Sequence, residues 1–298
     1  MLNLVQAEVL KYRKMTLVTI VAIAPLFLTV LFSLITVFAR ILSGGFGRVP
    51  SGGSSTFSGP DMGGGLFGLA GNAFLVAIAG FYALGMVLIA ALVTSNEFSL
   101  STIKMIATRE PSRARIVLAK ILFMATFAVF MIAAFIVSWL VFTLVLKLVY
   151  GQSLGLVEGD AEAIGKGIKY IIVAFLFYFV WSLLGVALGI RFKSIVATVI
   201  IYIVYSGIDG VASTLGGAAL NGSLGTDFPA WLKPIIELLK IVSPFLMNTN
   251  FTRLTSVSNS PGFVSSISPV QSVLVIVAWG IFFSFLAIQT FKSRDITD

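Results

Sequence analysis

Residues 170–190 read YIIVAFLFYFVWSLLGVALGI, an uncharged run bounded by Lys169 and Arg191. Hydrocarbon cannot hydrogen-bond to a peptide backbone, so a chain crosses a bilayer as a helix of roughly 20 apolar residues. This run has that length and that composition. It therefore predicts a membrane-spanning helix, and similar runs recur along the chain.

Five further runs of the same kind bring the predicted number of spans to six. They lie at 17–38, 72–94, 121–146, 195–213 and 270–290. The fifth span, 195–213, reaches the required length only if Asp209 is included. Asp209 is therefore either a buried acid, which would be a candidate functional group, or a solvated acid at the membrane interface.

The composition of all 298 residues agrees with a single membrane domain, 1–298. Hydrophobic residues make up 58% of the chain and charged residues 11%, against about 25% charged in soluble domains. Too few polar side chains are present to cover a soluble surface. The expected fold class is therefore an all-α integral membrane protein.

The chain contains neither cysteine nor histidine. This removes disulfides, thiol nucleophiles, imidazole acid–base chemistry and the usual metal ligands. We therefore expect no catalytic and no metal-binding residues, and an integral membrane enzyme is the least favoured class. The run Gly63–Gly68 fits G-x-G-x-x-G, but no strand is predicted before it and no soluble helix after it, so no nucleotide-binding motif is assigned.

The net charge of +8 comes from basic residues in the segments between apolar runs, which indicates the membrane surface as their partner and not nucleic acid. Most Lys and Arg residues fall on one side if the N-terminus is inside. The positive-inside rule then predicts a multi-pass protein of the cell membrane, taken as a bacterial plasma membrane, with both termini cytoplasmic. Segments 39–71 and 214–269 would be extracytoplasmic.

Residues 1–15 are predicted to form a short amphipathic helix. Val5, Val9 and Tyr12 share one face, and Lys11 lies on another. Such a helix is expected to lie along the inner leaflet, in contact with lipid. A disordered basic tail is the alternative.

The loop at 96–120 places an apolar stripe, including Leu100 and Ile103, among polar and basic residues. Pro111 and Ser112 then supply a stop and a new N-cap for the next helix. An apolar patch on a short cytoplasmic helix is suited to docking a partner protein. The alternative is a solvated loop whose stripe rests on lipid.

The same loop resembles the first cytoplasmic loop of ABC-2 type ABC transporter permeases, whose pattern is E…GT(L/I)…P-x-S-R…K. The positions that carry the resemblance are Glu97, Ser101-Thr102-Ile103, Pro111-Ser112-Arg113 and Ala119-Lys120. Two of them depart from the pattern: Ser101 stands where the family often has Gly, and Glu110-Pro111-Ser112-Arg113 stands for the looser Pro-x-Ser-Arg. The resemblance also covers the basic N-terminal helix, the six spans and the long outer segment. It therefore extends over nearly the whole chain.

The resemblance implies that helix 1–15 is an "elbow" helix in the membrane interface and that the loop forms a coupling helix. The resemblance further implies that the residues in contact with a separate ABC ATP-binding subunit are Leu100, Thr102, Ile103 and Lys104. It implies that Glu97 is a polar hinge at the membrane edge. ATP and Mg would be bound by that partner, and this chain would bind no cofactor. A second permease chain, identical or related, would complete a dimer.

The outer segment 214–269 contains an amphipathic stretch in which Glu237 and two lysines lie opposite an apolar face. Trp231 would anchor this helix at the interface, and Pro244 would end it. It resembles the re-entrant helices that cap the translocation path in ABC-2 permeases. The alternative is a surface helix with no role in transport.

The implied function is export of an amphipathic or lipid-like substrate, such as an antimicrobial peptide or antibiotic, because aromatic residues, including 26 Phe, are abundant. The alternative is an ion-coupled secondary transporter or channel that acts without an ATPase. Such proteins usually carry ionisable groups at the bilayer midplane, which the predicted spans lack.

Gly185 and Gly189 form G-x-x-x-G, which predicts either packing within the chain or a dimer contact.

Overall fold

The structure is a computed structural model of the chain. It describes the ranges 73–99, 112–149, 160–220, 232–255 and 267–293, and the single residues Leu10, Ile23, Phe27 and Leu31. The helices, in chain order, are α1 (Ala73–Ser99), α2 (Arg113–Val149), α3 (Asp160–Phe192), α4 (Ile195–Leu220), α5 (Lys233–Val242), α6 (Met247–Thr255) and α7 (Pro269–Lys292). A 3-10 turn, Ser243–Phe245, lies between α5 and α6. These ranges contain no β-strand, in agreement with the expected all-α class.

Four of the described helices are long and apolar enough to cross a membrane. Their spanning stretches are Arg113–Ala134, Ile171–Phe192, Ile195–Leu220 and Pro269–Lys292, and α1 adds a shorter apolar stretch, Tyr82–Phe98. The predicted first span, 17–38, lies outside the described residues except for Ile23, Phe27 and Leu31, which are helical and exposed. The predicted segments 1–15 and 39–71 also lie outside them, apart from Leu10.

Helices α1 and α3 form the centre of the bundle and pack along one another. Tyr82 stacks on Tyr178, with 5.8 Å between the ring centroids. A side chain at Gly185 would place its Cβ 2.8 Å from the Cβ of Ala90, and one at Gly189 would overlap Thr94. The G-x-x-x-G pattern of α3 is therefore filled by α1 of the same chain, because only glycine permits this approach.

Helices α4 and α7 lie at the edge of the described bundle. Only 17% of the spanning stretch of α4 and 22% of that of α7 is buried, against 67% for α3. The exposed side of α4 is apolar and includes Ile200, Ile203, Ile208 and Val211. In a membrane protein such a surface contacts lipid or another membrane-spanning chain.

A tight turn joins α3 to α4. Lys193 adopts a left-handed conformation, with φ of 53°, and its N–H donates to the Gly189 carbonyl at 3.0 Å. Ser194 then accepts the N–H of Ala197 on its side-chain oxygen, at 3.3 Å, which caps the start of α4. The chain therefore reverses within two residues, and the end of α3 lies beside the start of α4.

We predict that Gly189→Ala destabilises the protein, because the new Cβ would overlap the Thr94 hydroxyl. Overpacking of this kind costs about 1–3 kcal/mol. Gly207→Ala in α4 is the matched control, because a Cβ there meets no atom within 4 Å. Alanine is the better helix former, so this control is expected to be neutral or slightly stabilising. Thermal unfolding in detergent measures both, and equal midpoints for the two variants would contradict the prediction.

Candidate coupling site

Five helix ends meet at one end of the bundle, which we call the loop end. There α1 ends, α2 begins, α3 passes into α4, and α7 ends. The loop between α1 and α2 is the segment predicted to dock a partner. Its predicted contact residues Leu100, Thr102, Ile103 and Lys104 lie outside the described residues, so the structure informs only on the helix ends that flank them.

A buried ion pair joins the two helices that flank this loop. The Nζ of Lys120 in α2 lies 2.6 Å from the Oε2 of Glu97 in α1, and the two side chains are only 4% and 1% exposed. Lys120 also donates to the carbonyl of Val93, one turn earlier in α1, at 3.2 Å. Removing one member of such a pair leaves a buried charge without compensation, so the contact strongly fixes α1 against α2.

This pairing was not predicted from the sequence. The resemblance implies that Glu97 is a polar hinge at the membrane edge, a role that stays a prediction. Lys120 is the last position of the family's loop pattern and a basic residue before the third span, with no partner predicted for it. The structure places both charged groups inside the packing. The signal available in the sequence was an acid and a base at the two ends of one loop, each directly beside an apolar run.

Aromatic contacts extend the junction from α1 to α7 and to the α3–α4 turn. The ring of Phe98 meets that of Phe291 edge-on, with 6.2 Å between centroids. The Nζ of Lys193 lies 5.7 Å from the centroid of the same Phe98 ring, which is within cation–π range. The last turn of α1 therefore contacts two other helix ends besides α2.

Arg113, the first residue of α2, makes a further contact between helix ends at the loop end. Its Nη1 donates to the main-chain carbonyl of Lys292 at 3.1 Å. The last carbonyls of a helix have no partner within the helix, and a cation there also offsets the negative end of the helix dipole. The arginine of the Pro-x-Ser-Arg pattern thus caps α7, a role that the sequence did not predict.

These contacts make the loop end a continuous network. Glu97 and Lys120 hold α1 to α2, Phe98 contacts α7 and the Lys193 turn, and Arg113 ties α2 to α7. The loop that connects α1 to α2 is therefore linked by direct contacts to α1, α2, α7 and the turn between α3 and α4. We call these residues the junction.

Asp209 lies far from the junction, in the second half of α4. Its side chain is buried, and its Oδ2 accepts the backbone N–H of Asn248 at 3.0 Å. Helix α4 continues past the predicted end of the span at residue 213 to Leu220. Of the two alternatives left by the sequence, the structure therefore supports the buried acid.

Of the residues predicted for the outer helix and the elbow helix, the structure describes only Glu237 and Pro244. Glu237 is exposed on α5, which has no buried side chain, and Pro244 lies in the 3-10 turn that ends this helix. Trp231 and the four elbow residues lie outside the described ranges. The re-entrant position of the outer helix stays a prediction. Within those ranges, no three acidic side chains are grouped so that they could hold a metal ion.

Long apolar helices that pack side by side define an all-helical multi-pass membrane protein. A family model described as an ABC-2 family transporter protein matches residues 4–209, and the chain belongs to this family. Its members are transmembrane permease subunits that normally work with an ABC ATP-binding subunit and are not themselves the ATPase. Among curated proteins, no match to the chain was found.

We predict that breaking the ion pair destabilises the protein more than removing it. Glu97→Leu or Lys120→Met alone leaves one buried charge unpaired, which costs about 3–5 kcal/mol. The double variant leaves no charge, so it should recover most of the lost stability. Thermal unfolding in detergent compares the three.

Glu237→Gln, on the exposed face of α5, is the control for loss of a charge and should change stability by less than about 0.5 kcal/mol. If the two single effects simply add in the double variant, the pair does not fix α1 to α2 as described.

Proposed function

We propose that the chain is the membrane-spanning permease subunit of an ATP-driven exporter, and that the loop 96–120 docks a separate ATP-binding subunit on the cytoplasmic side. The observation that carries the proposal is the junction. Family membership supports a transport subunit, and the junction supplies a path from the docking loop into the bundle.

In this proposal, ATP binding draws two partner ATPases together and moves the loops that they hold. Because Glu97 and Lys120 pair inside the packing, α1 and α2 move as one body and do not separate. Arg113 and Phe98 carry the same displacement to α7. The chain itself acts mechanically, and the partner subunit binds ATP and Mg and performs the hydrolysis.

The orientation and assembly form part of the proposal. The excess of basic residues beside the junction favours a cytoplasmic loop end, with both termini on the same side. A second permease chain, identical or related, would cover part of the exposed apolar side of α4. Two chains and two ATPases would then form the complete transporter.

The cargo proposed is an amphipathic or lipid-like compound, with antimicrobial peptides and antibiotics as the first classes to test. A run of aromatic side chains supports it. Trp181 of α3 contacts Tyr202 and Tyr205 of α4, with ring centroids 5.0 and 5.7 Å apart, and Tyr205 lies 6.5 Å from Trp279 of α7. Tyr205 and Trp279 are only partly buried, so they offer flat apolar surfaces with polar edges to such a compound.

A second candidate function is an ion-coupled transporter that needs no ATPase. The buried carboxylate of Asp209 favours it, because an acid inside a membrane-spanning helix is a candidate ion or proton site. Transport by the chain alone, driven by an ion gradient and lost in Asp209→Asn, would support this function over the first.

A photo-crosslinking residue placed at Ile103 tests the proposed function. We expect it to attach to a nucleotide-hydrolysing protein in intact cells. The control is the same crosslinker at Ile208, an exposed isoleucine near the middle of α4, which should capture lipid or a membrane-spanning chain. Failure of position 103 to capture an ATPase, while the protein is present in the membrane, would refute the docking role.

A further inference from the structure

One face of α4 carries two aromatic side chains and an acid. Tyr202, Tyr205 and Asp209 lie three and four residues apart, which places them on the same side of the helix. Tyr202 and Asp209 are buried, and Tyr205 is partly buried. Both tyrosine rings contact Trp181 of α3, and that of Tyr205 also lies beside Trp279 of α7. This face of α4 is therefore turned towards α3 and α7.

Asp209 differs in its charge balance from Glu97, the other buried carboxylate of the described residues. Glu97 is paired with Lys120. Asp209 forms no ion pair with any basic side chain that the structure describes. Its Oδ2 accepts the N–H of Asn248, and its Oδ1 has no hydrogen-bond partner among the same residues. The start of α6 therefore offsets the negative charge only in part.

The spans around Asp209 supply no countercharge. Helix α4 contains neither lysine nor arginine. The spanning stretches of α3 and α7 each contain one basic residue, Arg191 and Lys292, and both lie at the loop end. A buried carboxylate without a cation is unfavourable where water is excluded, so a cation that binds nearby is stabilised. Direct contact is not required, because charges attract across several ångströms in such surroundings.

The cap of α6 does not by itself explain an acid at this position. A neutral oxygen, such as that of Asn or Ser, accepts the N–H of a helix start equally well. The buried charge of Asp209 is therefore more than the hydrogen bond to Asn248 requires. A cationic ligand is the partner that would make use of it.

The aromatic rings beside Asp209 offer a surface for such a ligand. Tyr205, one helical turn before the acid, and Trp279 are only partly buried. The faces of Tyr and Trp rings attract cations, and aromatic cages bind quaternary ammonium groups in this way. The ring of Trp279 is also fixed, because its indole N–H donates to the carbonyl of Phe245 at 2.9 Å. Rings that are already held in place lose little freedom on binding.

We propose that Tyr205, Trp279 and Asp209 form a site for a cationic group of the cargo, and that the exporter therefore prefers amphipathic cations. The two rings contact the cation and its apolar substituents, and the buried carboxylate supplies the opposite charge. An anion of the same shape is repelled by that charge. This inference rests on the proposed function and narrows its cargo from amphipathic compounds in general to cationic ones.

Tetraphenylphosphonium and tetraphenylborate test the site, because they have nearly the same size and shape and carry opposite charges. Binding of each radiolabelled probe to the chain in nanodiscs of zwitterionic lipid is measured by equilibrium dialysis, with empty nanodiscs as the blank. In Asp209→Asn we expect the affinity for the cation to fall at least about tenfold and that for the anion not to fall. Asparagine keeps an oxygen that accepts the N–H of Asn248, so α6 retains its cap.

Glu237→Gln is the matched control, because it also removes one acid, from the exposed face of α5. Its affinity for both probes should equal that of the original chain. At the ring, Tyr205→Leu should weaken binding of the cation about threefold or more, and Tyr205→Phe, which keeps the aromatic face, should restore it. Thermal unfolding of each variant shows that it is folded.

Three results would overturn the proposal: no binding of the cation to the original chain, unchanged binding of it in Asp209→Asn, or an equal loss for cation and anion in that variant. The ATPase rate and capture of the ATPase by the loop are measured separately on the complete complex. If the ATPase is bound and coupled but the site shows no preference for the cation, only this inference fails. If the site prefers the cation but no ATPase is captured, the proposed function fails instead.

Discussion

The buried contact between Glu97 and Lys120 is the constraint on which the rest of the account depends. The two side chains carry opposite charges and are almost fully buried. Separating them would leave each charge buried without a partner of opposite sign, which is energetically costly. They belong to the two helices that flank the docking loop. The loop is therefore attached to a fixed pair of helix ends, and through Arg113 and Phe98 to α7 as well.

The two ends of the bundle are held by different kinds of contact. At the loop end, charge-assisted and aromatic contacts join neighbouring helices. At the opposite end, α6 is held by apolar packing, with the ring of Phe251 stacked on that of Phe177 at 3.9 Å between centroids, and by the hydrogen bond from the N–H of Asn248 to Asp209.

Much of the fold follows from the sequence because charge-free runs are a strong signal in a membrane protein. The runs at 170–190 and 270–290 lie within α3 and α7, and the start of α2 follows Ser112 directly. The family resemblance also follows from the sequence, and the match over residues 4–209 confirms it. The sequence could not tell whether Gly185 and Gly189 meet α1 or a second chain. That choice depends on tertiary packing, as does the partner of Lys120.

Asp209 illustrates the same limit. Its position near the end of a short apolar run suited an exposed acid as well as a buried one. The carboxylate of Asp209 is buried because it accepts the N–H of Asn248, 39 positions away along the chain. Asn248 lies at the start of α6, where the preceding residue, Leu246, offers no side-chain cap. The pattern of residues within α4 cannot predict this hydrogen bond, because its donor lies in another helix.

The most direct measurement is the ATPase rate of the complete complex in lipid when the junction is neutralised. The double variant Glu97→Leu with Lys120→Met should fold and still hold the ATPase, since the docking loop is intact. Without the charged contact, the stimulation of the ATPase by the permease should fall by about tenfold, a coupling loss within the usual range for linked sites. Equal stimulation in the variant and the original chain would contradict the account.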